Sequence, residues 1–113
     1  MKRIYIAGPM SGLPKLNYPA FNAKAIELRA QGFHVENPAE NPEPHCRSWL
    51  GYMRMALVQI ARCDAVVMLP GWAKSRGARI EHQLAAGLGL EIIISKPVPE
   101  AFDGCGNVGT ECS

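Results

Sequence analysis

The chain has 113 residues, 48% of them hydrophobic and 19% charged, which suits one globular domain and is short for two. Its formal net charge is +2, with basic and acidic residues interleaved, so the clustered Lys/Arg of a nucleic-acid binder is absent and no nucleic-acid polymer is expected as a partner. No stretch approaches the roughly 20 apolar residues that span a bilayer, and Met1-Lys2-Arg3 leads into only a short apolar run, so neither membrane attachment nor a signal peptide is expected.

Ile4-Tyr5-Ile6-Ala7 is a short β-type run stopped by Gly8-Pro9. Asn17 or Tyr18, with Pro19 at the first helical position, opens a helix in which Phe21, Ala25 and Leu28, with Ile26 beside them, fall at helical spacing through Arg29-Ala30. Gly32 fits its C-cap. Phe33 to Glu36 is a second strand, ended by Asn37-Pro38. Residues 38 to 47 carry Pro38, Pro42 and Pro44 and read as a loop of about ten residues, a length at which functional lids occur.

Ser48 is placed to cap a second helix from Trp49 to Arg62, where Leu50, Met53, Leu57 and Ile60 form an amphipathic stripe. Cys63 then reads as a small core residue before a strand. Ala65 to Leu69 is a continuous apolar run ended by Pro70-Gly71, as expected of a strand buried on both faces. A third helix runs from about Arg76 to Leu88, and Glu91 to Ile94 is the fourth strand. The segment from Asp103 to Ser113 lacks apolar periodicity, so the α/β domain is set at residues 1–97 and residues 98–113 as a mobile or interfacial tail.

This β-α-β-α-β-α-β alternation implies a three-layer, flavodoxin-like or Rossmann-like α/β fold with a parallel sheet and helices on both faces. Right-handed crossovers leave strand order 2-1-3-4 as the favoured topology. Its switch point lies between strands one and three, and ligands in such sheets bind there, at the carboxyl edge.

Two glycine-bearing loops meet at that edge, Gly8-Pro9-Met10-Ser11-Gly12 and Pro70 to Gly77. Backbone amides there can approach an anion, and a following helix N-terminus favours negative charge. Each loop is equally readable as a plain structural turn. Neither is a dinucleotide fingerprint or a phosphate-binding Walker loop. Cys46, Cys63, Cys105 and Cys112 include no C-x-x-C pair, so no zinc site is expected, and no other metal or cofactor either. Cytoplasmic placement with reduced thiols follows from that cysteine usage.

Glu81 is the most informative residue. Gly77, Glu81, Leu84, Ala85 and Leu88 share one helical face that is otherwise apolar, so the face packs on the sheet and carries a carboxylate with it. Gly77 leaves room beside that carboxylate. The helix N-terminus offsets the cost of burial and favours the ionised form. Such a group is either a nucleophile or base in a partly dry cleft, or a structural partner of Arg76, Arg79 or strand one. Tyr5 faces opposite to Ile4 and Ile6 and can reach Glu81 as a donor if strands one and three are neighbours. His82 projects away from the stripe and reads as solvated or interfacial.

The run Ile4-Tyr5-Ile6-Ala7-Gly8-Pro9-Met10-Ser11-Gly12 resembles the opening strand and loop of the nucleoside 2-deoxyribosyltransferase superfamily. Asp64-Ala65-Val66-Val67 through Ser75-x-Gly77-x-x-x-Glu81 resembles its strand, loop and nucleophile helix, and is also similar to the 2′-deoxynucleoside 5′-phosphate N-hydrolases. Leu69-Pro70-Gly71-Trp72-Ala73-Lys74-Ser75-Arg76-Gly77-Ala78-Arg79-Ile80-Glu81-His82 resembles a segment typical of the DUF4406 family. The likeness covers about residues 2 to 95.

The resemblance implies that Glu81 is a nucleophile attacking the anomeric carbon of a deoxyribosyl group and that Tyr5 positions it. It implies that Gly8, Ser11, Ser75 and Gly77, with the intervening Pro9 and Met10, line the sugar or a 5′-phosphate, and Arg79 with Arg76 suits the phosphate. The implied ligand is a nucleoside or nucleotide, and the implied assembly a homodimer or larger homo-oligomer that completes the site from a neighbouring subunit. One departure stands out. Relatives carry an aspartate in the second helix that assists base departure, and here Ala56 occupies that place. Asp64 begins strand three at the far edge and cannot replace it. Three readings follow: N-glycosidic cleavage or deoxyribosyl transfer, a nucleotide-binding module without turnover, or a structural oligomer subunit.

Overall fold

The computed structural model describes residues 2–41 and 48–95. Strands β1 (Arg3–Ala7), β2 (His34–Glu36), β3 (Ala65–Met68) and β4 (Glu91–Ile94) alternate with helices α1 (Tyr18–Ala30), α2 (Trp49–Ala61) and α3 (Arg76–Gly87). Every strand pair is parallel and the order is β2-β1-β3-β4, as the alternation predicts.

The two-residue period of β1 divides the core. Ile4 and Ile6 join Phe21, Ala25 and Leu28 of α1 on one face of the sheet. Tyr5 and Ala7 join Ala56 and Ile60 of α2 and Ala78 and Ala85 of α3 on the other. The result is a three-layer α/β sandwich. Each isoleucine of β1 is fully buried, which contributes about 1.5–3 kcal/mol relative to exposure. Every residue of β3 is buried, which explains its uninterrupted apolar run.

Local signals set the helix ends. The Ser48 hydroxyl accepts from Gly51 N at 3.0 Å, and the Ser75 hydroxyl accepts from Ala78 N at 3.3 Å, satisfying amides that a first helical turn leaves unpaired. After α1, Gly32 adopts φ +94° and donates to Arg29 O, while Phe33 donates to Leu28 O. These bonds close the helix with a left-handed cap that glycine takes without steric cost. Pro38–Glu40 forms a short 3-10 turn, with the Asn37 side chain accepting from Ala39 N at 3.0 Å.

Three helical positions differ from the sequence pattern. Leu50 is 55% exposed, because the start of α2 lays Trp49 and Met53, not Leu50, against Gly77 of α3. Leu88 is 51% exposed, since the chain turns at Gly89 and Leu90 packs against the core in its stead. Ile26 faces solvent on α1. Residues 42–47 of the predicted proline loop, Cys46, Cys105, Cys112, and the predicted tail with its boundary at residue 97 lie outside the described residues. Among the described residues, no helix is long and apolar enough to cross a membrane.

Candidate functional site

Parallel pairing of β1 with β3 sets Tyr5 beside Val66, on the face that α2 and α3 cover. Glu81 faces the same layer one turn inside α3, between Ala78 and Ala85, and is 7% exposed. The Tyr5 hydroxyl donates to Glu81 Oε2 at 2.8 Å. Oε1 accepts no hydrogen bond from the described residues, and no cation among them lies within ion-pair distance of this carboxylate. Of the structural partners the sequence allowed, neither Arg76 nor Arg79 pairs with Glu81, and the strand-one residue Tyr5 does.

Burial is the dominant influence on this carboxyl. Desolvation pushes it up to about 7, and the hydrogen bond from Tyr5 offsets only part of that rise. The ionised form, which the helix N-terminus was expected to favour, is therefore not favoured here. Burial also raises the Tyr5 phenol well above its ordinary range, and the adjacent Glu81 charge and their hydrogen bond raise it further. Near neutral pH the pair shares a phenolic proton that stays in place and a carboxyl poised between its two forms.

A cavity of about 820 Å³ opens at the carboxyl ends of β1 and β3, with Tyr5 and Glu81 in its wall. That volume lies within the range of small-molecule sites. The loop after β1 contributes Gly8, Pro9, Met10 and Ser11, and the start of α3 contributes Ser75, Arg76 and Gly77. Arg79 is exposed and lies outside this lining. Three residues beyond Arg76 on the same helix, it points to solvent, and among the described residues Lys74 with Arg76 supplies the positive charge at the cavity.

The two glycines singled out in the sequence have steric jobs. A Cβ on Gly8 would sit 2.8 Å from Leu69 Cβ, so this glycine lets the ends of β1 and β3 close together. A Cβ on Gly77 would meet Met53 Sδ at 3.1 Å and Trp49 Nε1 at 3.8 Å. The room predicted beside Glu81 is therefore used by α2, which crosses α3 closely there. Trp49 in turn stacks beneath the Arg76 guanidinium, 4.3 Å from its ring centroid.

Several wall residues were not among those marked in the sequence as ligand-contacting. Trp49, Tyr52 and Met53 line the cavity from α2, together with Ala56. Asn41 joins from the segment after β2, held by a reciprocal pair of bonds with Gln59 at 2.7 and 2.9 Å. Leu13 and Leu16 line the rim while 40% and 46% exposed. Lys15, Leu16 and Asn17 all take left-handed backbone, at φ 53°, 53° and 60°, a conformation costing about 1–2 kcal/mol for each non-glycine residue. The Asn17 side chain holds this bend by donating to Pro9 O at 3.0 Å. No glycine marks the bend, so only its polar Asn hinted at it. Strain of this kind gathers at ligand sites.

Other expectations resolve simply. His82 stacks on Trp72, with ring centroids 4.5 Å apart and planes at 11°, so it is a packing residue facing away from the cavity. Cys63 is buried, and burial pushes its thiol up to about 11. The Asp64 carboxylate accepts from Arg3 N at 2.9 Å, at the amino end of the sheet and remote from the cavity. Among the described residues no group of His, Cys, Asp and Glu is arranged to hold a metal ion.

Comparison with known proteins follows from this geometry. The family described as "Domain of unknown function (DUF4406)" matches residues 2–94. No curated protein matches the chain. Solved structures do, among them a 2-desoxiribosyltransferase from Leishmania mexicana, with a TM-score of 0.66 at 21% identity over 83% of this chain and 63% of that one. The chain thus spans less than two thirds of that protein's length, and the likeness shows a shared fold.

Proposed function

The chain belongs to the DUF4406 family, and from that premise we propose that it captures the deoxyribosyl group of a deoxynucleoside or deoxynucleoside 5′-monophosphate on Glu81, cleaving the N-glycosidic bond. The observation that carries this reading is the 2.8 Å bond from the buried Tyr5 hydroxyl to a carboxylate lining a nucleotide-sized cavity. Tyr5 holds Oε2 and thereby aims Oε1. An anomeric carbon developing oxocarbenium character is stabilised by, and then bonded to, a carboxylate on one face of the sugar. Lys74 and Arg76, with the amides opening α3, suit a 5′-phosphate. The Ser75 oxygen already accepts from Ala78 N, which leaves its hydroxyl hydrogen for a ligand. Water or a second base then resolves the glycosyl-enzyme, giving hydrolysis or transfer.

The distant fold likeness to a 2-desoxiribosyltransferase supports this class of chemistry. We also place the protein in the cytoplasm as a homo-oligomer, with the half-exposed aromatic start of α2 at or near the contact. Light scattering after size-exclusion chromatography tests that assembly, and a monomer at all concentrations would contradict it. For the chemistry, free-base release from deoxynucleoside monophosphates is the test. It is expected from the wild type and is expected to fall at least about a hundredfold in Glu81→Gln. Equal release by both proteins would refute the reading.

A second reading, a nucleotide-binding module with little or no turnover, is favoured by Ala56, which presents only a methyl group to the cavity. Calorimetric binding of a deoxynucleoside monophosphate without base release would select it.

A further inference from the structure

The electrostatics of the cavity wall are lopsided. Glu81 is the one carboxylate among the described lining residues, it is nearly buried, and its hydrogen-bond partner is a neutral phenol. The wall also holds Trp49, Tyr52, Met53 and Ala56 of α2. A buried carboxylate without a counter-ion is costly. The cations that line the cavity, Lys74 and Arg76, sit at the start of α3, and about 7.5 Å of axial rise separates Arg76 from Glu81 at about 1.5 Å per residue. Among the described residues the cavity thus offers cations for a phosphate at the start of α3 and, further along the helix, a carboxylate without a positive partner.

We propose that the cavity is selective for nucleotides whose base already carries a positive charge, such as an N7-alkylated purine deoxynucleotide or a pyridinium deoxynucleotide. The inference rests on the deoxyribosyl-capture reading above and narrows its substrate class. Such a ligand is complementary to the cavity: its phosphate meets Lys74 and Arg76, and its positive ring, across C1′ from Glu81, raises the electrophilicity of the carbon that this carboxylate attacks. The bond changes favour it too. Glu81 Oε1 bonds to C1′ as the C1′–N bond breaks. The bonding pair passes to the ring nitrogen and cancels the ring's charge, so the base departs neutral and needs no proton. Water then displaces Glu81 from C1′ and its proton passes to solvent. A neutral base departing from the same site would need a proton at the moment of cleavage. The Ala56 side chain has no proton to give, and such assistance is commonly worth about 10²–10⁴-fold.

The test compares base release from 7-methyl-2′-deoxyguanosine 5′-monophosphate and from 2′-deoxyguanosine 5′-monophosphate by wild type, Glu81→Gln and Ala56→Asp, each corrected for uncatalysed release. A nicotinamide deoxynucleotide in a further arm shows whether a pyridinium or an alkylated purine is preferred. The expected kcat/KM is at least about a hundredfold higher for the methylated nucleotide. Ala56→Asp, which returns an acid to the wall, is expected to raise release from the unmethylated nucleotide at least about tenfold more than from the methylated one. If that variant does not fold, the wild-type ratio decides. A ratio below about tenfold, with release still dependent on Glu81, overturns the selectivity and leaves deoxyribosyl capture standing. No release from any of the nucleotides, or release that survives Glu81→Gln, overturns both.

Discussion

The Tyr5 hydroxyl reaches from the central strand β1 to Glu81 Oε2 on α3 at 2.8 Å, across a layer that is otherwise apolar. One bond thus ties the strand that borders the switch point to the carboxylate that faces the cavity. Its consequences extend to stability, pH dependence and rate.

Stability should depend on pH through Glu81. Burial pushes its carboxyl to about 7 from an ordinary 4.5. As pH rises above about 4.5 the unfolded chain releases this proton while the folded chain keeps it, so stability falls until about pH 7. The full effect is roughly 3 kcal/mol. Glu81→Gln keeps an acceptor for Tyr5 and removes the titration. Urea melts should give similar stability for both proteins near pH 4, and a more stable variant at pH 8. A difference that does not change with pH would contradict this.

Removing the phenol tests the same pair from the other side. The Tyr5 bond lowers the Glu81 carboxyl against the larger effect of burial. Tyr5→Phe should therefore move the rise of kcat/KM with pH to higher pH and cost about tenfold in rate at pH 7. The lost bond to a buried acceptor should also destabilise the fold by about 1–3 kcal/mol. An unchanged pH profile would show that Tyr5 does not tune the carboxylate.

Gly8 and Gly77 should respond differently to alanine. At Gly8 the new methyl meets Leu69 Cβ, which is rigidly attached to its backbone, so Gly8→Ala is expected to destabilise by about 1–3 kcal/mol in urea. At Gly77 it meets the flexible end of Met53, and alanine is the better helix former by about 1 kcal/mol. Gly77→Ala should keep its stability within about 1 kcal/mol of wild type while displacing Met53 and Trp49 and weakening nucleotide binding several-fold. Equal destabilisation by the two substitutions would argue against these packing roles.

The sequence made the architecture readable because its periods were unambiguous. The apolar run before Pro70-Gly71 suited a doubly buried strand, and Ser48 marked a helix start that it caps. Glu81 was visible because it interrupts an apolar face, and Tyr5 because alternation on β1 turns it away from Ile4 and Ile6. What escaped depends on tertiary geometry. Leu50 fits the stripe of α2 with Met53, yet it is exposed, and Trp49 joins Met53 against Gly77 of α3. Arg79 resembles a phosphate ligand by proximity in sequence, but the helical turn carries it outward. The left-handed bend at Lys15, Leu16 and Asn17 has no glycine to announce it. The rise of the Glu81 carboxyl follows from the depth of the site, which no local pattern encodes.

The central claim is that Glu81 becomes glycosylated. Rapid acid quenching during turnover of a deoxynucleoside 5′-monophosphate, followed by peptide mass spectrometry, measures this directly. The account predicts a deoxyribosyl 5′-phosphate adduct on the peptide containing Glu81, at that residue, and none in Glu81→Gln. Base release with the adduct on another residue, or undiminished release by Glu81→Gln, would contradict it.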